Sequence, residues 1–178
     1  MPGRLPVPLS KNGRLQAQRL KEYFSDKPIE KIYSSAVLRC KQTSEMIAEG
    51  RVPIEYDVRL LEILSAYQGY WEEKWELFFC QIETFGGETN LDAQKRVVDF
   101  FTKTNFIPGK EYILCSHADP LYFLYLHLAK KPLLPQDCLD PPDDYPSMGS
   151  VRTIRVLHNG RFDIEPLLSQ KQLADEQT

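Results

Sequence analysis

Two short segments hold the side chains best suited to handling a phosphoryl group. In the first, Tyr33-Ser34-Ser35 is followed four positions later by Arg39; in the second, Cys115-Ser116-His117 is followed by Pro120. Each reads as a strand that ends in small polar residues and turns directly into a helix. In an α/β sheet the ligand crevice lies outside the carboxyl ends of the strands. A helix starting there aims free N–H groups and partial positive charge into the crevice, which suits phosphate. Arg39, in the first turn of such a helix, can fork onto two phosphate oxygens. His117, at the mouth of the sheet, can donate to a phosphoryl oxygen or stabilise charge in a transition state. A lone arginine is more often half of a weak surface pair, and a lone histidine more often a satisfied structural residue. The strand-end setting of both is what argues for function.

The elements needed to present these residues are legible. Leu9 to Phe24 reads as a helix with Ser10 as N-cap and Leu15, Leu20, Tyr23 and Phe24 near one face. Lys31–Ser34 is a short strand, Leu38–Glu49 a helix stopping at Gly50, and Val52–Tyr56 a second strand. Glu72–Phe85 is helical and is broken at Gly86-Gly87. Thr89 or Asn90 caps another helix, with Val97, Val98, Phe100 and Phe101 as apolar positions. Glu111–Ser116 is a near-continuous apolar strand feeding a helix from Pro120 to Ala129. Lys131–Met148 is a proline- and acid-rich loop. Val151–Leu157 and Phe162–Leu167 form a hairpin around Asn159-Gly160. Alternating strands and helices give an α/β sheet covered on both faces. Residues 1–168 are expected to form a single domain, and 169–178 a frayed polar tail.

The chain's 178 residues suffice for one full core. A composition 42% hydrophobic and 26% charged excludes disorder and a disulfide-dense scaffold. A net charge of −3 without a basic tract argues against a nucleic-acid partner. No apolar run approaches a membrane span, and the N-terminus has no signal-peptide core. Cys40, Cys80, Cys115 and Cys138 lack metal or redox spacing and read as reduced thiols, so the expected location is cytoplasmic. Asp140, Asp143 and Asp144, between prolines, read as solvated turn residues rather than a cation site. Trp71, Trp75, Phe78 and Phe79 read as a packing face, while Tyr67 and Tyr70 remain open as pocket residues.

Taken in order, the segments resemble the histidine phosphatase superfamily, the phosphoglycerate mutase-like proteins, over nearly the whole chain. Pro8-Leu9-Ser10 with Gly13, Gln16 and Ala17 is similar to the family's P-L-[ST]-x-x-G-x-x-Q-A helix. Tyr33-Ser34-Ser35 through Arg39 to Gln42-Thr43 resembles Y-S-S-x-x-x-R-x-x-Q-T. Leu60-Leu61-Glu62 fits L-x-E, Gly87-Glu88-Thr89 with Arg96 fits G-E-[ST]…R, and Ser116-His117 with Pro120 fits S-H-x-x-P. The resemblance implies a three-layer α/β/α sandwich with a mostly parallel sheet and an antiparallel C-terminal hairpin. It implies that Arg39 grips the phosphoryl group, that His117 stabilises it, and that Glu62 is the general acid for the leaving oxygen. Gly3, in a glycine-containing loop, and Ala118, in place of the usual S-H-G-x-P glycine, would lie against the bound phosphate. It implies a small phosphorylated substrate, no cofactor and no metal. The interval from Glu62 to Trp71-Glu72-Glu73 is longer than the family's, which makes Glu62 the least firmly placed of the three.

The family nucleophile is the histidine of an R-H-G motif on a strand before the P-L-[ST] helix. No R-H-G occurs here; His127 lies well into a helix and His158 in a turn. Without that nucleophile no phosphohistidine intermediate forms, so this chain is expected to be inactive as it stands. The absent strand belongs in the interior, between Glu111–Ser116 and Val151–Leu157, and a defect is expected there. Each buried main-chain group left unpaired costs about 1–3 kcal/mol, against a total stability of about 5–15 kcal/mol. One reading is an N-terminally incomplete phosphomonoester hydrolase. The others are a non-catalytic phosphate-binding or scaffolding relative and a phosphoglycerate mutase-like mutase.

Overall fold

In the computed structural model of the chain, the described residues are 6–63, 87–134 and 142–175. The helix expected over Glu72–Phe85, the aromatic run from Tyr67 to Phe79, Cys80, Cys138, Asp140 and Gly3 lie outside them.

The first element among the described residues is helix α1 (Lys11–Tyr23), whose N-cap Ser10 accepts from the Gly13 amide through its side chain at 3.0 Å. Gly13 also permits close packing, since a Cβ there would meet Leu9 Cδ2 at 3.1 Å. Strand β1 (Ile29–Ser34) leads into α2 (Leu38–Ala48), β2 (Ile54–Tyr56) and a 3₁₀ turn (Val58–Leu60). Helix α3 (Asn90–Lys103) is capped by Thr89 and Asp92 in a reciprocal box. Strand β3 (Glu111–Cys115), helix α4 (Ala118–Leu128), strands β4 (Ile154–Val156) and β5 (Phe162–Ile164) and helix α5 (Gln170–Asp175) complete the order.

The main sheet is parallel in the order β2-β1-β3. Period-2 alternation sends successive side chains to opposite faces, and two apolar layers result. Ile32 and Ile113 pack with Leu20 and Ile47 beneath α1 and α2. Tyr33 packs on the other face with Val97, Phe100, Leu124 and Leu128, below α3 and α4. The sheet is therefore sandwiched between two helical layers, as expected. The hairpin β4-β5 is antiparallel and turns at Gly160 (φ +72°), the left-handed position that a three-residue loop assigns to glycine. Among the described residues β3 pairs only with β1, and β4 only with β5, so β3 and β4 are not hydrogen-bonded neighbours.

One expectation is corrected. Within the tail expected to fray from residue 169, Gln170–Asp175 form α5, and Leu173 is fully buried against Leu20, Ile32, Ile47 and Ile113. Its polar sequence gives no helical stripe. A single leucine entering a core suffices to order one short helix.

Candidate active site

The parallel sheet brings the ends of β1 and β3 side by side, with Ser34 opposite Cys115 and the Ser35 amide donating to the Cys115 carbonyl at 2.9 Å. Arg39 in the first turn of α2 and His117, the N-cap of α4, therefore rise from adjacent strand ends. Neither helix has a side-chain cap, whereas α1 and α3 both do. The N–H groups at the two helix starts facing the site are thus left to a ligand or water.

Three side chains converge. Arg39 Nη2 donates to His117 Nδ1 at 2.7 Å and lies 3.6 Å from Glu62 Oε2, which is itself 3.5 Å from His117 Nδ1. Their exposures differ in a useful way: the Arg39 side chain is 44% exposed, Glu62 30% and His117 2%. The arginine stands at the opening and the imidazole forms the floor. Ala118 is the first residue of α4, directly beside His117.

The tautomer of His117 follows from its neighbours. A guanidinium has no acceptor, so Nδ1 must present its lone pair to Arg39. The proton then sits on Nε2, which donates to Ser35 Oγ at 2.9 Å. Burial, aided by the charges of Arg39 and Arg96, lowers the His117 pKa to about 3, so the ring is neutral near pH 7. Glu62 shifts the other way: burial and the nearby Asp119 carboxylate raise its pKa. That is the direction a proton donor needs.

Ser35, His117 and Glu62 have the connectivity of a serine hydrolase triad but not its competence. Ser35 is fully buried, and its Oγ accepts from His117 when it should donate. Cys40, whose thiol donates to the Ser116 carbonyl at 3.4 Å, is no nucleophile either. Its hydrogen bond with Cys115, together with burial, pushes its pKa up. Cys115 is half-buried. His127 and His158 are both exposed. Asp144 accepts from the Tyr125 hydroxyl at 2.7 Å and from Lys131 at 2.9 Å, as a structural carboxylate does.

Three residues that sequence reasoning placed in motifs without a role also belong here. Ser35 holds the buried side of His117. Ser116 Oγ donates to the Leu60 carbonyl at 2.7 Å, and Arg96 donates to the Arg59 and Leu61 carbonyls at 2.7 and 2.9 Å. Their partners lie too far off in sequence for any local pattern to show.

The family model of the histidine phosphatase superfamily (branch 1) matches residues 1–143. The chain belongs to that superfamily. Among solved structures, YhfR of Bacillus stearothermophilus is 26% identical, with a TM-score of 0.75 over 93% of this chain and 87% of that one. The alpha-ribazole phosphatase from Shigella flexneri is 19% identical, with a TM-score of 0.74 over 94% and 87% of the two chains. Mycobacterial glucosyl-3-phosphoglycerate phosphatase, solved with inorganic phosphate, is 19% identical, with a TM-score of 0.67 over 97% and 92%. No curated protein matches this chain. The last two likenesses are of fold. For this histidine phosphatase domain, the convergence of Arg39, Glu62 and His117 rests on its own geometry. Among the described residues no helix is long and apolar enough to cross a membrane.

Proposed function

We propose that this chain is a phosphomonoester-binding domain of the hydrolase type that takes up a small phosphorylated molecule in the cytoplasm. The observation that carries the reading is the meeting of Arg39, Glu62 and His117 within 2.7–3.6 Å at two uncapped helix starts. Arg39 leaves its contact with His117 to fork onto two phosphoryl oxygens. A dianion beside the imidazole favours a proton on Nδ1, and His117 then donates to a third oxygen. Glu62, whose pKa is raised by burial, is the group that would pass a proton to the leaving oxygen once a nucleophile attacks the phosphoryl group. The Ala118 amide lies against the phosphate.

Covalent catalysis also needs a nucleophile, and the sequence contains no R-H-G. The side of β3 facing away from β1 has no strand partner among the described residues, and an R-H-G strand would pair there. The 178 residues alone therefore bind phosphate without turning it over. A non-catalytic phosphate-binding role is the alternative, and retention of Glu62, which binding alone does not need, speaks against it.

Calorimetry with inorganic phosphate tests the binding half: Arg39→Ala weakens affinity by about 10-fold or more, the worth of a charge-assisted contact. Release of nitrophenol from nitrophenyl phosphate tests the rest. The chain should be silent, and one extended by an N-terminal strand bearing R-H-G should be active. Turnover by the unextended chain above a His117→Ala control would overturn the requirement. Unaltered phosphate affinity in Arg39→Ala would overturn the site.

A further inference from the structure

Glu62 ends a strap, residues 59–62, that comprises the last two residues of the 3₁₀ turn and the extended residue Leu61 after it. Main-chain groups outside a helix or sheet need partners of another kind. Here the carbonyls are claimed one after another by two side chains. Arg96 Nη1 donates to Arg59 at 2.7 Å and to Leu61 at 2.9 Å, and its Nη2 reaches the Glu62 carbonyl at 3.5 Å. Ser116 Oγ takes the Leu60 carbonyl at 2.7 Å. The remaining donors of Arg96 form a fork on Glu88, Nε to Oε1 and Nη2 to Oε2, both at 2.6 Å. All five N–H groups of the guanidinium are thereby committed. Glu88 immediately precedes the Thr89 cap of α3, so the fork is braced at both ends of the first two turns of that helix.

We propose that Arg96, locked by Glu88, is the positioning residue for Glu62, with Ser116 as a second anchor tying the strap to the strand end that carries His117. The inference rests on Glu62 acting as the acid, and it deepens that reading. A buried ion pair is by itself weak evidence of stability; what matters is where the spare donors point. They flank the one carboxylate that must stand between Arg39 and His117. Leu60, fully buried, pins the middle of the strap, and bonds on either side of it fix the backbone into Glu62. The guanidinium holds both Glu88 oxygens and three carbonyls with five N–H groups, two more than a lysine ammonium has.

The test is a carbon-13 NMR titration of the Glu62 carboxyl in the whole chain, run with phosphate calorimetry. Among the described residues, Arg39, Arg96, His117, Asp119 and Cys40 are the charged or titratable groups that act on Glu62 or on which it acts. Arg96→Lys keeps the positive charge, so a change reports position. The Glu62 midpoint should fall toward the ordinary carboxyl range by about half a pH unit or more, as the loosened side chain reaches water. Ser116→Ala should move it the same way by less. Phosphate affinity, set by Arg39, should stay within about twofold. An unmoved midpoint in folded Arg96→Lys overturns the proposal; if that variant does not fold, an unmoved midpoint in Ser116→Ala overturns it. The functional reading falls on a different result, unaltered phosphate affinity in Arg39→Ala.

Discussion

His117 is held in a state suited to waiting. Its Nδ1 lone pair is occupied by Arg39 and its Nε2 proton by Ser35. Burial comes first among the causes that lower its pKa to about 3, and Arg39 second. Removing the guanidinium should therefore raise the His117 midpoint while leaving it below the ordinary value of about 6.5. Saturating phosphate should raise it further in the native protein, because a dianion replaces a cation as its neighbour. Histidine-selective NMR titration of the free chain, the phosphate-bound chain and Arg39→Ala would show both movements. A midpoint indifferent to phosphate would mean that the anion does not reach the ring. The identities of Arg39 and His117 were legible because each follows a strand end within a motif. Glu62 was one acid among the 25 Asp and Glu residues, and only the L-x-E resemblance singled it out. Ser35, Ser116, Glu88 and Arg96 stood inside quoted motifs without a role. Each acts on a residue brought near by the fold, as when Ser35 meets His117 across 82 positions.

Helices and strands divide the labour visibly. Helices α1 and α3 carry Ser10 and Thr89 as caps; Ser10 was readable from sequence, and Thr89 as one of two candidates. The starts of α2 and α4 lack a side-chain cap, and they are the ones beside Arg39 and His117. Local propensity also explains the chief misreading. In Gln170-Lys171-Gln172-Leu173 one apolar residue cannot reveal a helical face, so tertiary contact alone identifies α5. That helix is now a stability element. Leu173→Ala removes a fully buried side chain between α1, α2 and the sheet, and it should cost about 2–5 kcal/mol. Urea unfolding measures it directly. A loss below about 1 kcal/mol, the size of a surface effect, would return the segment to the status of a loose tail.

The whole molecule couples its site to its stability through protons. Native His117 refuses a proton down to about pH 3, whereas the unfolded chain accepts one near the ordinary value of about 6.5. Between those limits unfolding takes up a proton, so stability declines as pH falls, by up to about 1.4 kcal/mol per unit. Glu62 has the opposite sign: its raised pKa lets the native state hold a proton that the unfolded chain has released, which favours folding as pH drops toward the carboxyl range. Glu62 offsets His117 only between its raised native midpoint and the ordinary carboxyl range; below that range His117 acts alone until the lowered carboxylates Asp57, Asp99 and Asp144 begin to protonate. Stability should thus sag gently from neutrality and then steeply in acid. In His117→Gln the upper part of that slope should reverse, leaving only the Glu62 contribution. Excess phosphate should flatten the native curve over the same range, because it lifts the His117 midpoint toward the unfolded one. Urea midpoints from pH 7 to 4 for the chain, for His117→Gln and for the phosphate complex would decide the matter. Parallel slopes in all three would mean that His117 does not hold its neutral form in the native state, and the donor-ready pocket built around it would have to be abandoned.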